Sequence, residues 1–226
     1  SMYFMQIVWG LRKEPFIGVR PLNHAKEAPT TGAWQFTNAI DSWSWQGYEG
    51  EKAVVEVYAN SASVRLLLNG KEIANKPVRK YKTLFKLPYQ PGTLTAEALD
   101  ERGNVISSHS LTTAGEETVL RVTPDKMVLC ANNQALCYLP IEFTDKAGNL
   151  KPYMEQLVEV AVAGAATLAG FGSALCKTNE VFDKPYHHSY RGRCLAVLRA
   201  GSTPGKAKVT VTSAGMEPVT IEVEVQ

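Results

Sequence analysis

The sequence has almost no charge imbalance. Its 226 residues hold 24 lysines and arginines against 22 aspartates and glutamates, so the formal net charge is +2 with neutral histidines. The basic residues are scattered along the chain rather than massed in one stripe, and binding of nucleic acid depends on such a stripe. We therefore predict no nucleic-acid partner.

Long apolar runs are missing as well. No stretch approaches the roughly 20 apolar residues that cross a bilayer, so we predict no membrane partner. The first residues have neither a basic start nor a small-residue cleavage site, and they are not typical of a signal peptide. No long helical period follows residue 13, which argues against a nucleotide-binding α/β fold.

The four cysteines, Cys130, Cys137, Cys176 and Cys194, include no Cys-x-x-Cys pair. That spacing would indicate a zinc ribbon or a thioredoxin-type motif. Cys130 and Cys137 flank a segment that fits a hairpin, across which a disulfide can form. The alternative is that all four are small apolar fillers, and the Cα separation that decides between the two is not given by sequence.

One segment near the start has helical periodicity. Its apolar residues recur at three- and four-residue spacing: Tyr3, Phe4, Ile7, Val8 and Leu11. They predict a helix over residues 3–13 that Pro15 ends. Roughly three turns of isolated helix are marginal in water, so we expect the helix face to pack on a sandwich or to form a homodimer. Residues 14–40 have no clear period and are predicted to be an extended linker.

Short runs of alternating apolar residues follow, at residues 54–58, 64–68, 82–87, 94–98 and 105–112. Asn69-Gly70 is the strongest hairpin signal, because a type I′ turn needs positive φ at both central positions. Six or seven short strands with turns every 8 to 12 residues are typical of an immunoglobulin-like sandwich.

The pattern restarts near Gly115 with runs at residues 119–123, 127–129, 137–144, 157–162, 194–199, 207–212 and 219–225, and residues 168–185 are predicted to be a long loop. We therefore predict an all-β fold of two tandem immunoglobulin-like β-sandwiches after a short N-terminal helix and an extended linker. The predicted domains are residues 1–38, 39–115 and 116–226.

Motifs in both halves resemble one enzyme family. They are residues 41–45 (DSWSW), 57–60 (VYAN), 66–71 (LLLNGK), 89–92 (YQPG), 113–115 (TAG), 145–148 (DKAG), 170–172 (GFG) and 196–199 (AVLR). Together they resemble the sandwiches that follow the catalytic barrel in glycoside hydrolase family 2, and β-galactosidase-like members of the Bacteroides type in particular.

The resemblance implies that this chain is a non-catalytic C-terminal fragment, with residues 1–38 similar to the end of the (β/α)₈ barrel. A barrel takes about 250 residues, so the two catalytic glutamates of the family have no counterpart here. The resemblance also implies a structural or domain-packing role against the barrel and no cofactor. It implies that the parent hydrolyses terminal β-galactosides and is periplasmic or secreted.

Two sets of polar residues can be weighed as sites. Asn179-Glu180 copies the Asn-Glu dipeptide of the family's acid/base, but its neighbours match the accessory sandwich, so we interpret Glu180 as a hydrogen-bonded or solvated loop carboxylate. Cys176, His187, His188 and Cys194 are zinc-type ligands. Adjacent histidines of an extended segment point to opposite faces, so we predict no metal site.

An aromatic set remains, made of Trp34, Trp43, Trp45 and Tyr48. Its rings can form a packing cluster, because aromatic side chains dominate cores and interfaces. Alternatively, Trp43, Trp45 and Tyr48 can stack on sugars, which makes a carbohydrate-binding module with a glycan partner the second hypothesis. A bacterial surface adhesion repeat is the third, since the second half also resembles bacterial immunoglobulin-like domains.

Overall fold

The computed structural model describes residues 2–25 and 37–226. Within them lie one helix and sixteen strands. The chain divides into two compact units, Ser1–Thr113 and Ala114–Gln226, and each unit packs two β-sheets around a core of its own. The predicted all-β fold with immunoglobulin-like sandwiches is confirmed.

The helix, α1 (Met2–Val8), ends well before residue 13, so the predicted helix is too long. Gly10 has a φ of 71°, the left-handed value that commonly ends a helix, and the amide of Leu11 donates to the carbonyl of Gln6 at 2.8 Å. The apolar period continued past this glycine and concealed the end of the helix.

The face of α1 packs on the first unit. The ring of Tyr3 stacks on that of Phe16 with 4.3 Å between centroids, and Ile7 is 1% exposed. Leu11, which lies beyond the helix, is 73% exposed. Tyr3 and Ile7 therefore pack on the sandwich as expected, whereas Leu11 does not. A homodimer through this helix stays a prediction.

The first unit contains β1 (Phe16–Val19), β2 (Lys52–Tyr58), β3 (Ser63–Leu68), β4 (Lys71–Pro77), β5 (Lys82–Pro88), β6 (Thr93–Leu99) and β7 (Val105–Thr112). The strands form a sheet in the order β1-β2-β5 and a second in the order β4-β3-β6-β7, with all pairs antiparallel. Val55, Leu66 and Phe85 fill the core. β1 lies inside the segment predicted as linker, because four residues are too few to show a period.

The turn between β3 and β4 forms where it is predicted. Asn69 and Gly70 both have positive φ, at 52° and 77°, and Leu68 pairs with Lys71. Both central residues are thus left-handed, as a type I′ turn requires.

The second unit contains β8 (Val119–Val122), β9 (Val128–Leu129), β10 (Leu136–Thr144), β11 (Leu157–Gly164), β12 (Ala166–Gly172), β13 (Tyr186–His188), β14 (Arg193–Ala200), β15 (Gly205–Ser213) and β16 (Val219–Val225). Its sheets have the orders β12-β14-β10-β8 and β13-β11-β15-β16-β9. β16 and β9 pair in parallel, whereas the other pairs are antiparallel. Ile141, Val160 and Leu198 lie in the core.

The predicted loop over residues 168–185 begins too early but ends where predicted. β12 continues through Gly172 with an irregular register between Leu168 and Gly170, and β13 begins at Tyr186. Glycines are typical of loops, and their presence led to the loop prediction. Gly172 is instead a strand residue beside Phe182, whose ring fills the space that a side chain at position 172 would need.

All four cysteines are free, so no disulfide joins Cys130 to Cys137. Cys137 and Cys194 are buried, as apolar fillers are expected to be, whereas Cys130 and Cys176 are exposed. In the part of the chain that the structure describes, no helix is long and apolar enough to cross a membrane.

Candidate functional site

The predicted aromatic residues lie mainly inside the first unit. Trp43 and Trp45 have no exposed surface, and Tyr48 is half-buried against the same core. The indole of Trp43 donates to the carbonyl of Gln90 at 3.0 Å and stands edge-on to Tyr89. Neither indole offers a face to a sugar in this packing, so glycan binding through these residues stays a prediction without structural support. Trp34 lies outside the described residues.

The hydroxyl of Tyr89 forms hydrogen bonds with the backbone of both tryptophans. It accepts a hydrogen bond from the amide of Trp45 at 3.0 Å and donates one to the carbonyl of Trp43 at 3.4 Å. The hydroxyl of Thr113 donates to the same Trp43 carbonyl at 2.7 Å. The tryptophan segment is therefore tied to the strand ends around it by side chains of the same unit.

Glu180 is a hydrogen-bonded loop carboxylate. Its Oε1 accepts from the amide and the Nδ1 of His188, at 3.1 and 2.7 Å. Burial alone would raise the pKa of Glu180, but the hydrogen bonds from His188 prevail and lower it. An ionised carboxylate of this kind cannot serve as a general acid at neutral pH, since that role needs a raised pKa.

The Nδ1 atoms of His187 and His188 lie 3.3 and 2.7 Å from the carboxylate of Glu180, but the four zinc-type residues do not form a metal site. His187 is fully buried and His188 is exposed, as expected for neighbours on a strand. Cys194 is buried, with its pKa raised to about 12 by burial and by the charge of Glu180, whereas Cys176 is exposed. Across residues 2–25 and 37–226, no three acidic, histidine or cysteine side chains are placed to hold a metal ion.

A buried ion cluster on β2 gives no signal in the local sequence pattern. Glu56 has no exposed surface, and its carboxylate accepts from Arg20 Nε at 2.8 Å and from the Tyr58 hydroxyl at 2.6 Å, while Lys82 Nζ lies 2.6 Å away. Burial raises the pKa of Glu56, but the hydrogen bonds from Lys82, Tyr58 and Arg20 outweigh it, so the net shift is downward. The carboxylate stays ionised and is shared between Arg20 and Lys82.

A cleft of about 600 Å³ opens beside this cluster, and we call it the hairpin cleft. Its apolar lining consists of Phe4, Tyr58, Pro77 and Leu84. Its cations are Arg79, Lys80 and Lys82. A cleft of this volume, apolar with a few converging polar groups, is typical of sites for small molecules.

The cations are presented by a tight turn between β4 and β5. Arg79 and Lys82 exchange two backbone hydrogen bonds of 3.1 Å. Between them, Lys80 and Tyr81 have φ of 50° and 62°. Asparagine and glycine normally occupy such positions, and a left-handed conformation costs other residues about 1 kcal/mol each. The sequence has no Asn-Gly here, which is why the turn escaped prediction.

Two family models match the chain. Residues 120–222 match glycoside hydrolase family 2 C-terminal domain 5. Residues 50–107 match a family described as a domain of unknown function (DUF4982). Each match lies within one of the two units.

A curated relative matches most of the chain. Beta-galactosidase BoGH2A of Bacteroides ovatus is 30% identical over 195 residues, which are 85% of this chain and 23% of that protein. The chain therefore spans about a quarter of the length of the curated relative that it matches.

Solved structures match over nearly the whole chain. A glycosyl hydrolase family 2 member from Bacteroides cellulosilyticus superposes with a TM-score of 0.86 and 27% identity, covering 99% of this chain and 30% of that one. A β-glycosidase from Bacteroides vulgatus has a TM-score of 0.78 at 21% identity, covering 99% of this chain and 26% of its own, and it shows the shared fold.

Proposed function

We propose that this chain, which corresponds in sequence and fold to the C-terminal region of glycoside hydrolase family 2 enzymes, has a structural and non-catalytic role in a larger enzyme. The superposition that covers 99% of this chain but 30% of a family 2 enzyme carries the proposal. It leaves more than two thirds of that enzyme outside the matched region.

The chemistry of the carboxyl groups supports a non-catalytic role. Canonical glycoside hydrolysis needs one carboxyl with a raised pKa to act as acid and a second carboxylate opposite it. Among the described residues, every carboxyl with a clearly shifted pKa is shifted downward: Glu56, Asp100, Asp145 and Glu180. Hydrogen bonds within the sandwiches account for these shifts, so the carboxylates serve the fold.

The parent enzyme would carry a catalytic barrel, and this chain would pack against it. Hydrolysis of terminal β-galactosides by the parent is proposed because a β-galactosidase is among the relatives. A periplasmic or secreted location of the parent is proposed from the resemblance to exported enzymes.

Hydrolysis of nitrophenyl β-galactoside by the purified chain tests the non-catalytic part of the proposal. We expect the chain and its Glu180→Gln variant to release nitrophenol at the rate of a buffer blank. Hydrolysis by the chain that the Glu180→Gln change abolishes would overturn the proposal, because the chemistry would then lie in the second sandwich.

The structural part is tested in the full-length enzyme. Deletion of residues 114–226 is expected to lower the thermal midpoint of the remaining enzyme or to change its oligomeric state. An enzyme whose midpoint, oligomeric state and kcat/KM all survive the deletion would contradict a structural role for the second sandwich.

A further inference from the structure

Two cations in the hairpin cleft have no counter-charge among residues 2–25 and 37–226. Lys82 is neutralised by the buried carboxylate of Glu56, but the side chains of Arg79 and Lys80 make no ion pair or hydrogen bond with any residue in the described ranges 2–25 and 37–226. Both side chains line the same cleft as the apolar wall of Phe4 and Leu84. The cleft therefore combines positive charge with apolar surface.

The turn that holds these cations is costly for the residues that occupy it. Lys80 and Tyr81 are both left-handed, where asparagine and glycine would be unstrained. Strained backbone is concentrated at functional sites, and an observed outlier is a reason to look for one. Here the strain coincides with a free cation at the edge of a cleft.

We infer that the hairpin cleft binds an organic anion, a carboxylate carried on an apolar body. The apolar body lies against Phe4, Tyr58 and Leu84, and the carboxylate meets Arg79 and Lys80. Arginine suits this role because its planar guanidinium binds carboxylates through two parallel hydrogen bonds.

The lining of the cleft favours this ligand over a neutral sugar. The residues that line it are Phe4, Thr37, Tyr58, Pro77, Arg79, Lys80, Lys82, Thr83 and Leu84. No amide or carboxylate side chain is among these described residues, so their side-chain acceptors for sugar hydroxyls are limited to the hydroxyls of Thr37, Tyr58 and Thr83. The volume also suits a small molecule.

Calorimetric titration of the whole chain with three probes tests the inference. 4-Phenylbutyrate supplies both features, 4-phenylbutanol lacks the charge, and acetate lacks the apolar body. We expect saturable binding of phenylbutyrate that weakens as salt is raised, with the other two probes about tenfold weaker or undetectable. Equal binding of phenylbutanol, or no binding of phenylbutyrate, would overturn the inference.

Variants locate the site. Arg79→Ala with Lys80→Ala is expected to weaken phenylbutyrate binding about tenfold. The matched control, Lys71→Ala with Lys86→Ala, removes two exposed cations that lie outside the cleft, on the strands β4 and β5 that the turn joins, and should leave binding unchanged. Equal effects of the two pairs would overturn the inference.

A second variant separates binding from folding. Lys80→Asn with Tyr81→Gly suits the left-handed turn, so the thermal midpoint should hold or rise while phenylbutyrate binding weakens. Unchanged binding in this variant would overturn the role of Lys80. An acetylated Glu-Phe-Leu-Glu peptide serves as a further probe. If it binds more than tenfold tighter than phenylbutyrate, the ligand of the cleft is a polypeptide and the inference of a small molecule is overturned.

Discussion

Glu56 is a carboxylate with no exposed surface. It lies on β2, the middle strand of its sheet, where Val55, Glu56, Val57 and Tyr58 are all buried. The side of β2 that would normally face water is covered, since Phe4 of α1 stands edge-on to Tyr58 with 5.5 Å between ring centroids. A carboxylate in such a place is stable only when it is paired.

We predict that Glu56→Gln destabilises the first unit by roughly 2–3 kcal/mol, because it leaves Arg20 and Lys82 without their counter-charge. Chemical denaturation followed by fluorescence measures the loss. The control is Glu97→Gln, which breaks the more exposed pair with Arg65 and should cost less than about 1 kcal/mol. A Glu56 change no more costly than the control would contradict the role of the cluster.

The pH dependence of stability tests the same cluster. The pKa of Glu56 is lowered from its ordinary value of 4.5, so the unfolded state takes up the proton first. The stability that ionised Glu56 contributes to folding is fully present at pH values above 4.5 and is lost as the pH falls through the lowered pKa of the folded state. The wild-type chain should therefore lose more stability on acidification than Glu56→Gln does. Parallel losses in the two proteins would argue against an ionised Glu56.

At the scale of elements, the two units use the same five-residue turn, Asp-x-x-Gly-Asn. In residues 100–104 and 145–149 the asparagine amide donates to Oδ1 of the aspartate at 2.8 Å, and its side chain donates to Oδ2. The glycines have φ of 84° and 89°. Asp145 also accepts from the amide of Gly115 at 2.9 Å, which fastens the start of the second unit.

We predict that Asp145→Ala lowers the free energy of unfolding by roughly 2 kcal/mol, because three hydrogen bonds to a charged acceptor are lost. Asp100 also accepts three hydrogen bonds, but all of them come from its own turn and its side chain is less buried than that of Asp145. Asp100→Ala should therefore have a smaller effect. Urea denaturation of both variants measures the difference. A larger loss for Asp100→Ala would show that the contact with Gly115 is unimportant.

Turns also show which elements could be predicted. The Asn69-Gly70 pair predicts its turn, because asparagine and glycine adopt positive φ at low cost. Lys80-Tyr81 also has positive φ at both residues but gives no local signal, because neither residue type favours that conformation. The hairpin cleft therefore has no signature in the sequence. The role of the tryptophans is equally open in the sequence, because a sequence does not say which aromatic rings are covered.

At the scale of the whole molecule, each unit has its own apolar core. Units of about 110 residues are large enough to fold alone. We therefore predict that residues 1–113 and 114–226, produced separately, each give dispersed NMR spectra and a cooperative thermal transition. An unfolded isolated second unit would contradict this prediction.

The sequence by itself determined the all-β class, most strands, the Asn-Gly hairpin and the resemblance to glycoside hydrolase family 2. These follow from local patterns, because apolar alternation and turn chemistry act within a few residues. Only the tertiary structure decided that β1 joins the first sheet, that Trp43 and Trp45 are buried and that Glu56 meets Arg20 and Lys82. It also placed Arg79 and Lys80 beside an apolar cleft. Those features depend on residues that are distant in the chain and adjacent in space, and no local pattern records such contacts.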